Sequence, residues 1–120
     1  MTPVYQDKFG PGRGNCQQAA VASILGVPLY AVPDFHDDTG DVLYHSFLAS
    51  KGFVSVRLPP ERAPDCYYIA HGPSIVSGNP HACVYRAGEL RHDPHPGRNG
   101  LSNVEDIFVI VPMEIDISGG

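Results

Sequence analysis

The chain has 120 residues and a formal net charge of −5, which suits one domain over residues 1–120 and argues against a nucleic-acid partner. No apolar run approaches the roughly 20 residues that cross a bilayer, so no membrane partner is expected. Three scattered cysteines make no disulfide framework and suit a reducing, cytoplasmic setting. Thirteen glycines and twelve prolines beside a 42% apolar fraction point to a loop-rich fold with short elements rather than to disorder.

Met1-Thr2-Pro3-Val4-Tyr5 has no charged-then-apolar leader and reads as a mature start. Phe9 to Asn15 is a glycine-rich loop. It lacks the Lys and Ser/Thr of a phosphate-binding loop, so its glycines are read as letting the backbone pass close to the next element. That element is a helix from Cys16 to about Leu25, stopped by Gly26 with Pro28 beyond. It is apolar all round and belongs in a core. Leu29 to Phe35 is a Pro-punctuated turn. A second helix is expected over Asp41 to Ser50, burying Val42, Leu43, Phe47 and Leu48, with Gly52 as its stop. Strands are expected at Phe53–Leu58, Cys66–Ala70, Ala82–Arg86, Glu89–Asp93 and Ile107–Val111. Helices first and strands later suggest an α+β fold with an antiparallel sheet on helices. Ser118-Gly119-Gly120 reads as a flexible tail.

The residue that points to chemistry is Cys16. A small-residue turn delivers it to the first position of a buried helix, where the positive end of the helix dipole favours thiolate. His81 opens one strand-like run and Asp93 closes the next, before Pro94. The order Cys, His, Asp suggests a nucleophile, its base and the group that orients the base.

The turn between the two runs decides whether that is possible. A two-residue loop, Ala87-Gly88, would pair Arg86 with Glu89 and set Asp93 opposite Ala82, on the wrong face, unless a further bulge intervened. A three-residue loop, Arg86-Ala87-Gly88, with Gly88 left-handed, pairs Tyr85 with Glu89, Cys83 with Arg91 and His81 with Asp93. Ala82, Val84 and Leu90 then share the opposite, core-facing side. The glycine position favours this second register.

These residues carry a resemblance. The chain resembles the papain-like cysteine peptidase superfamily, especially small bacterial members of the C39-like type, and a group of small bacterial and phage proteins with similar Gly-Asn-Cys and His-Asp-Pro-His-Pro segments. The matching positions are Cys16, His81 and Asp93-Pro94, and the likeness extends over about residues 4 to 111. It implies a Cys-bearing central helix packed on a small antiparallel sheet. It also implies a glutamine ahead of the cysteine that helps hold the oxyanion. Gln6 is the candidate, ten residues before Cys16 where about six is usual; the Gly-Pro-Gly-Arg-Gly loop would absorb the difference. Gln17 and Gln18 follow the cysteine on a helix and point away from the thiol.

The reading is a thiol hydrolase with catalytic Cys16, His81, Asp93 and Gln6, acting on a peptide or protein substrate without metal or cofactor. Deamidation, transamidation or acyl transfer through the same thioacyl intermediate is the enzymatic alternative. A peptide-binding module without turnover is the other. Zinc is the rival chemistry: His71, His81, Cys83, His92, Asp93 and His95 are ligand types, but no C-x-x-C pair or H-E-x-x-H occurs. Cys66 and Cys83 read as core cysteines, Cys83 also as a second thiol on the face of His81. His92 is expected to be structural, His95 a rim residue, and His36, His45 and His71 ordinary surface or core residues.

Overall fold

A computed structural model describes residues 1–10, 14–35, 40–97 and 99–113. The expectations for His36, for the middle of the glycine-rich loop and for the 118–120 tail fall outside the described residues. Helix α1 (Cys16–Leu25) begins and ends where the capping signals put it. Gly26 sits at φ 70°, and the N–H groups of Gly26 and Val27 close the helix end onto Ser23 and Ala22. Helix α2 spans Gly40–Ser50. Its buried residues are Gly40, Tyr44 and Leu48, with Leu43 and Phe47 half-buried; of the expected set only Val42 is exposed. Tyr44 turns inward in its place, with its hydroxyl 2.8 Å from the Ser55 hydroxyl and its ring edge-on to Phe35.

Strands β1 (Phe53–Leu58), β2 (Tyr67–Pro73), β3 (Pro80–Arg86), β4 (Glu89–His92) and β5 (Asp106–Pro112) form one antiparallel sheet in the order β1-β5-β2-β3-β4. The described residues are thus α+β. Helix α1 packs on β3 and β2, and α2 on β1. The helix-side core joins Ala20, Val21, Leu48, Ile69, Ala82 and Val84. The opposite face of the sheet is also buried, around Tyr68, Ala70, Cys83, Tyr85 and Ile107, with Leu101 from the connection before β5 laid over it. Each fully buried Leu, Ile or Val removes apolar surface worth about 1.5–3 kcal/mol from water. Gly72 lets that connection lie close: a Cβ there would stand 1.9 Å from the Asn103 carbonyl oxygen. Cys66, expected in the core, is exposed, because it precedes the first sheet residue of β2.

The β3–β4 hairpin corrects the expected register. The loop has two residues, Ala87 and Gly88, both at positive φ (51° and 81°), and Arg86 pairs with Glu89. The longer turn was expected from the position of Gly88 alone; the two-residue turn also sets Ala87 at positive φ, which alanine disfavours. Tertiary hydrogen bonds offset that cost: Ala87 N–H donates to the Pro64 carbonyl and Gly88 N–H to the Tyr68 hydroxyl, both at 3.0 Å. Tyr85 then pairs with Leu90, but Val84 pairs with His92, leaving Arg91 as a β-bulge. The extra residue restores the phase that the short loop loses. Leu90 consequently lies opposite Tyr85, not on the face of Ala82 and Val84.

Candidate active site

Three elements meet at one end of β3. Cys16 is the first residue of α1, His81 the second residue of β3, and Asp93 follows β4 directly. His81 Nε2 and Asp93 Oδ1 are 2.6 Å apart, with side chains 9% and 3% exposed. The His95 N–H also donates to Asp93 Oδ1, at 2.9 Å, and the Gly100 N–H to Oδ2, at 3.0 Å. Both carboxylate oxygens are therefore oriented. Burial disfavours the charged His81 ring, but hydrogen bonds with Asp93, Cys16 and Cys83 outweigh it and push its pKa from 6.5 up to about 12. Burial likewise favours the neutral Asp93 acid, yet His81 and the two backbone amides hold its pKa below the ordinary 3.8. The two directions agree: the pair is an imidazolium and a carboxylate.

Cys83 is the second thiol at the ring. Burial raises its pKa to about 11, so it stands as a neutral thiol. The ligand atoms of His81, Cys83 and Asp93 lie within 4.8 Å of one another, a group that could hold a metal ion. An ion there would have to displace hydrogen bonds that already occupy both Asp93 oxygens.

Gln6 reaches this site in spite of its distance in sequence. Gly14 N–H donates to the Gly10 carbonyl at 3.2 Å, and Asn15 N–H to the Lys8 carbonyl at 3.3 Å. The chain thus closes a loop on itself and brings Gln6 close to the start of α1. Gln6 N–H also donates to the Pro94 carbonyl, fastening it beside Asp93. Its Nε2 donates to Lys8 O at 2.8 Å, which leaves a second amide hydrogen unassigned.

Asn15 and Gln18 hold the Cys16 end of the helix. Asn15 Oδ1 accepts from the backbone N–H groups of Asp7 and Lys8, and its Nδ2 donates to Asp7 Oδ1 and Gln18 Oε1. Gln18 Nε2 in turn donates to the carbonyls of Leu29 and Val32. His92 donates from Nε2 to the Val4 carbonyl at 2.6 Å, the expected structural role. His95 is at the rim, edge-on to Phe9. His45 is on the surface beside Asp41.

A cleft of about 540 Å³ opens over Cys16 and His81. Its lining includes His71, which sequence reasoning set aside. His71 Nε2 meets Gln17 Oε1 at 2.6 Å, and burial pushes its pKa down, so it is a neutral ring donating to the amide. The signal for it is the β2–β3 register, which sets His71 opposite Ala82 and Gly72 opposite His81. No such pairing is readable from a single strand.

Among the described residues no helix is long and apolar enough to cross a membrane. Comparison with family models, with curated proteins and with solved structures gave no match.

Proposed function

We propose that the protein is a thiol hydrolase of papain-like architecture that cleaves peptide or isopeptide bonds through a thioacyl intermediate. The observation that carries this reading is the buried His81–Asp93 pair at 2.6 Å with the Cys16 thiol on the same ring. With Nε2 donating to Asp93, Nδ1 is the nitrogen that exchanges a proton with Cys16. The high pKa of His81 favours the imidazolium once that proton has moved. The Cys16 sulfur attacks the substrate carbonyl carbon, and the carbonyl electron pair moves onto oxygen. The free Gln6 Nε2 hydrogen and the Cys16 N–H are the donors for that oxyanion, a contribution of about 3 kcal/mol in comparable sites. As the C–N bond breaks, His81 protonates the leaving amine. It then takes a proton from water, whose oxygen attacks the thioester and releases the acid and the Cys16 thiol.

Alkylation and turnover test this together. Near neutral pH iodoacetamide should modify Cys16 far faster than Cys66 or Cys83; Cys66 is the stringent control because it is the exposed cysteine. His81→Ala should abolish turnover of peptide substrates and slow the alkylation, and Asp93→Asn should retain a weaker activity. Gln6→Ala should lower turnover by about ten- to a thousand-fold and leave alkylation nearly unchanged, since alkylation develops no oxyanion. Cys16 alkylation no faster than that of Cys66, and unaffected by His81→Ala, would refute the reading.

A further inference from the structure

Among the described residues, two buried side-chain polar atoms have no hydrogen-bond partner: Gln6 Oε1 and Asp34 Oδ1. Both residues line the cleft over Cys16, and both atoms are acceptors. Gln6 is 7% exposed, and its amide orientation is fixed, because the reverse would set Oε1 against the Lys8 carbonyl. A buried acceptor without a donor costs free energy until a donor arrives. The carboxylates that line the cleft have the same polarity, and the His81 imidazolium beside them is already paired with Asp93. Asp34, Glu105 and Asp106 line it, and no described Lys or Arg does. Lys8 holds Asp34 Oδ2 at 2.9 Å and Arg57 holds Asp106 Oδ1 at 2.6 Å, whereas Glu105 forms no ion pair among the described residues. Phe9 and Phe35, next in sequence to Lys8 and Asp34, add aromatic surface to the cleft.

We propose that this cleft selects a cationic, hydrogen-bond-donating group, so that the substrate is a peptide carrying lysine, arginine or a free amine near the scissile bond. Asp34 Oδ1 and Gln6 Oε1 accept the donor, the rings of Phe9 and Phe35 flank it, and Glu105 adds attractive field across the opening. The term substrate rests on the thiol-hydrolase reading; cation selection rests on the acceptors and carboxylates of the cleft and does not need turnover.

The test needs no turnover. Cys16 in the intact protein is modified with the cationic, N–H-bearing 2-aminoethyl methanethiosulfonate and the anionic 2-sulfonatoethyl reagent, and the rates are followed by mass spectrometry. Their ratio, divided by the same ratio for mercaptoethanol, should exceed about ten at low ionic strength and fall as salt is added. Asp34→Asn and Glu105→Gln should each lower it severalfold; the His81 charge is common to all these proteins and drops out of the comparison. A normalised ratio near one, a ratio that both substitutions leave unchanged, or a Cys16 that resists both reagents would overturn the proposal. Peptides with lysine, norleucine or glutamate beside the cleaved bond then separate the two ideas. Cleavage without preference for lysine refutes cation selection and supports the hydrolase; a high reagent ratio with no peptide cleaved supports cation selection and counts against the hydrolase.

Discussion

Cys16 and Asp93 meet His81 on supports of different kinds. The cysteine stands on a helix end whose position is fixed by side-chain amides: Asn15 and Gln18 tie α1 to Asp7, Lys8, Leu29 and Val32. The aspartate stands on a hairpin whose position is fixed by backbone register, a two-residue turn compensated by one bulged residue. The first support is a set of replaceable contacts, each worth a modest free energy. The second is a matter of counting, in which one residue more or less moves a side chain to the other face of the sheet.

Four experiments break or sharpen this contrast. Deletion of Arg91 should have the largest effect. Without the bulge Asp93 falls out of phase with His81, and turnover should drop by about a thousandfold or more while the chain still folds, read by kinetics and circular dichroism. Asn15→Ala should instead act on stability, costing about 1–2 kcal/mol in urea denaturation, because the part-buried Asp7 and Lys8 N–H groups lose the acceptor that the buried Asn15 side chain supplies. Gly88→Val should cost roughly 2 kcal/mol by the same measurement, since a β-branched residue at φ 81° is strained.

The smallest effect is on pH dependence. His81 binds its proton more tightly in the folded chain, so its contribution is fully present below pH 6.5 and is lost as pH rises toward about 12. Asp93 binds its proton less tightly when folded, so its contribution is present above pH 3.8 and is lost as pH falls below it. The urea midpoint difference between the native chain and Asp93→Asn should therefore be widest between about pH 4 and 6.5 and should narrow on both sides. A difference that is flat with pH would mean the pair is neutral in the folded protein.

The same contrast explains what could be read from the sequence. Helix α1 is legible to the residue because its signals are local: the apolar run, Gly26 and Pro28. The hairpin is legible only in part. Gly88 is left-handed as expected, but Ala87 joins it there because Pro64 and Tyr68, far back in the chain, bind the turn. The bulge at Arg91 has no sequence mark, and the approach of His81 to Asp93 survives because two local departures cancel. His71 and Asp34 stayed hidden for a related reason. Their importance comes from which cleft they line, and that depends on pairing and loop closure beyond any local window.

The closure of the chain between Gly10 and Gly14 has a practical consequence. Gln6 is positioned by what happens on either side of that closure, so length added between its ends does not lengthen the path to Cys16. Doubling such a loop costs only about 0.6 kcal/mol in closure entropy. The segment is therefore a graft point: an inserted reporter peptide or affinity handle would sit within sight of the cleft while the spacing of Gln6 and Cys16 is preserved.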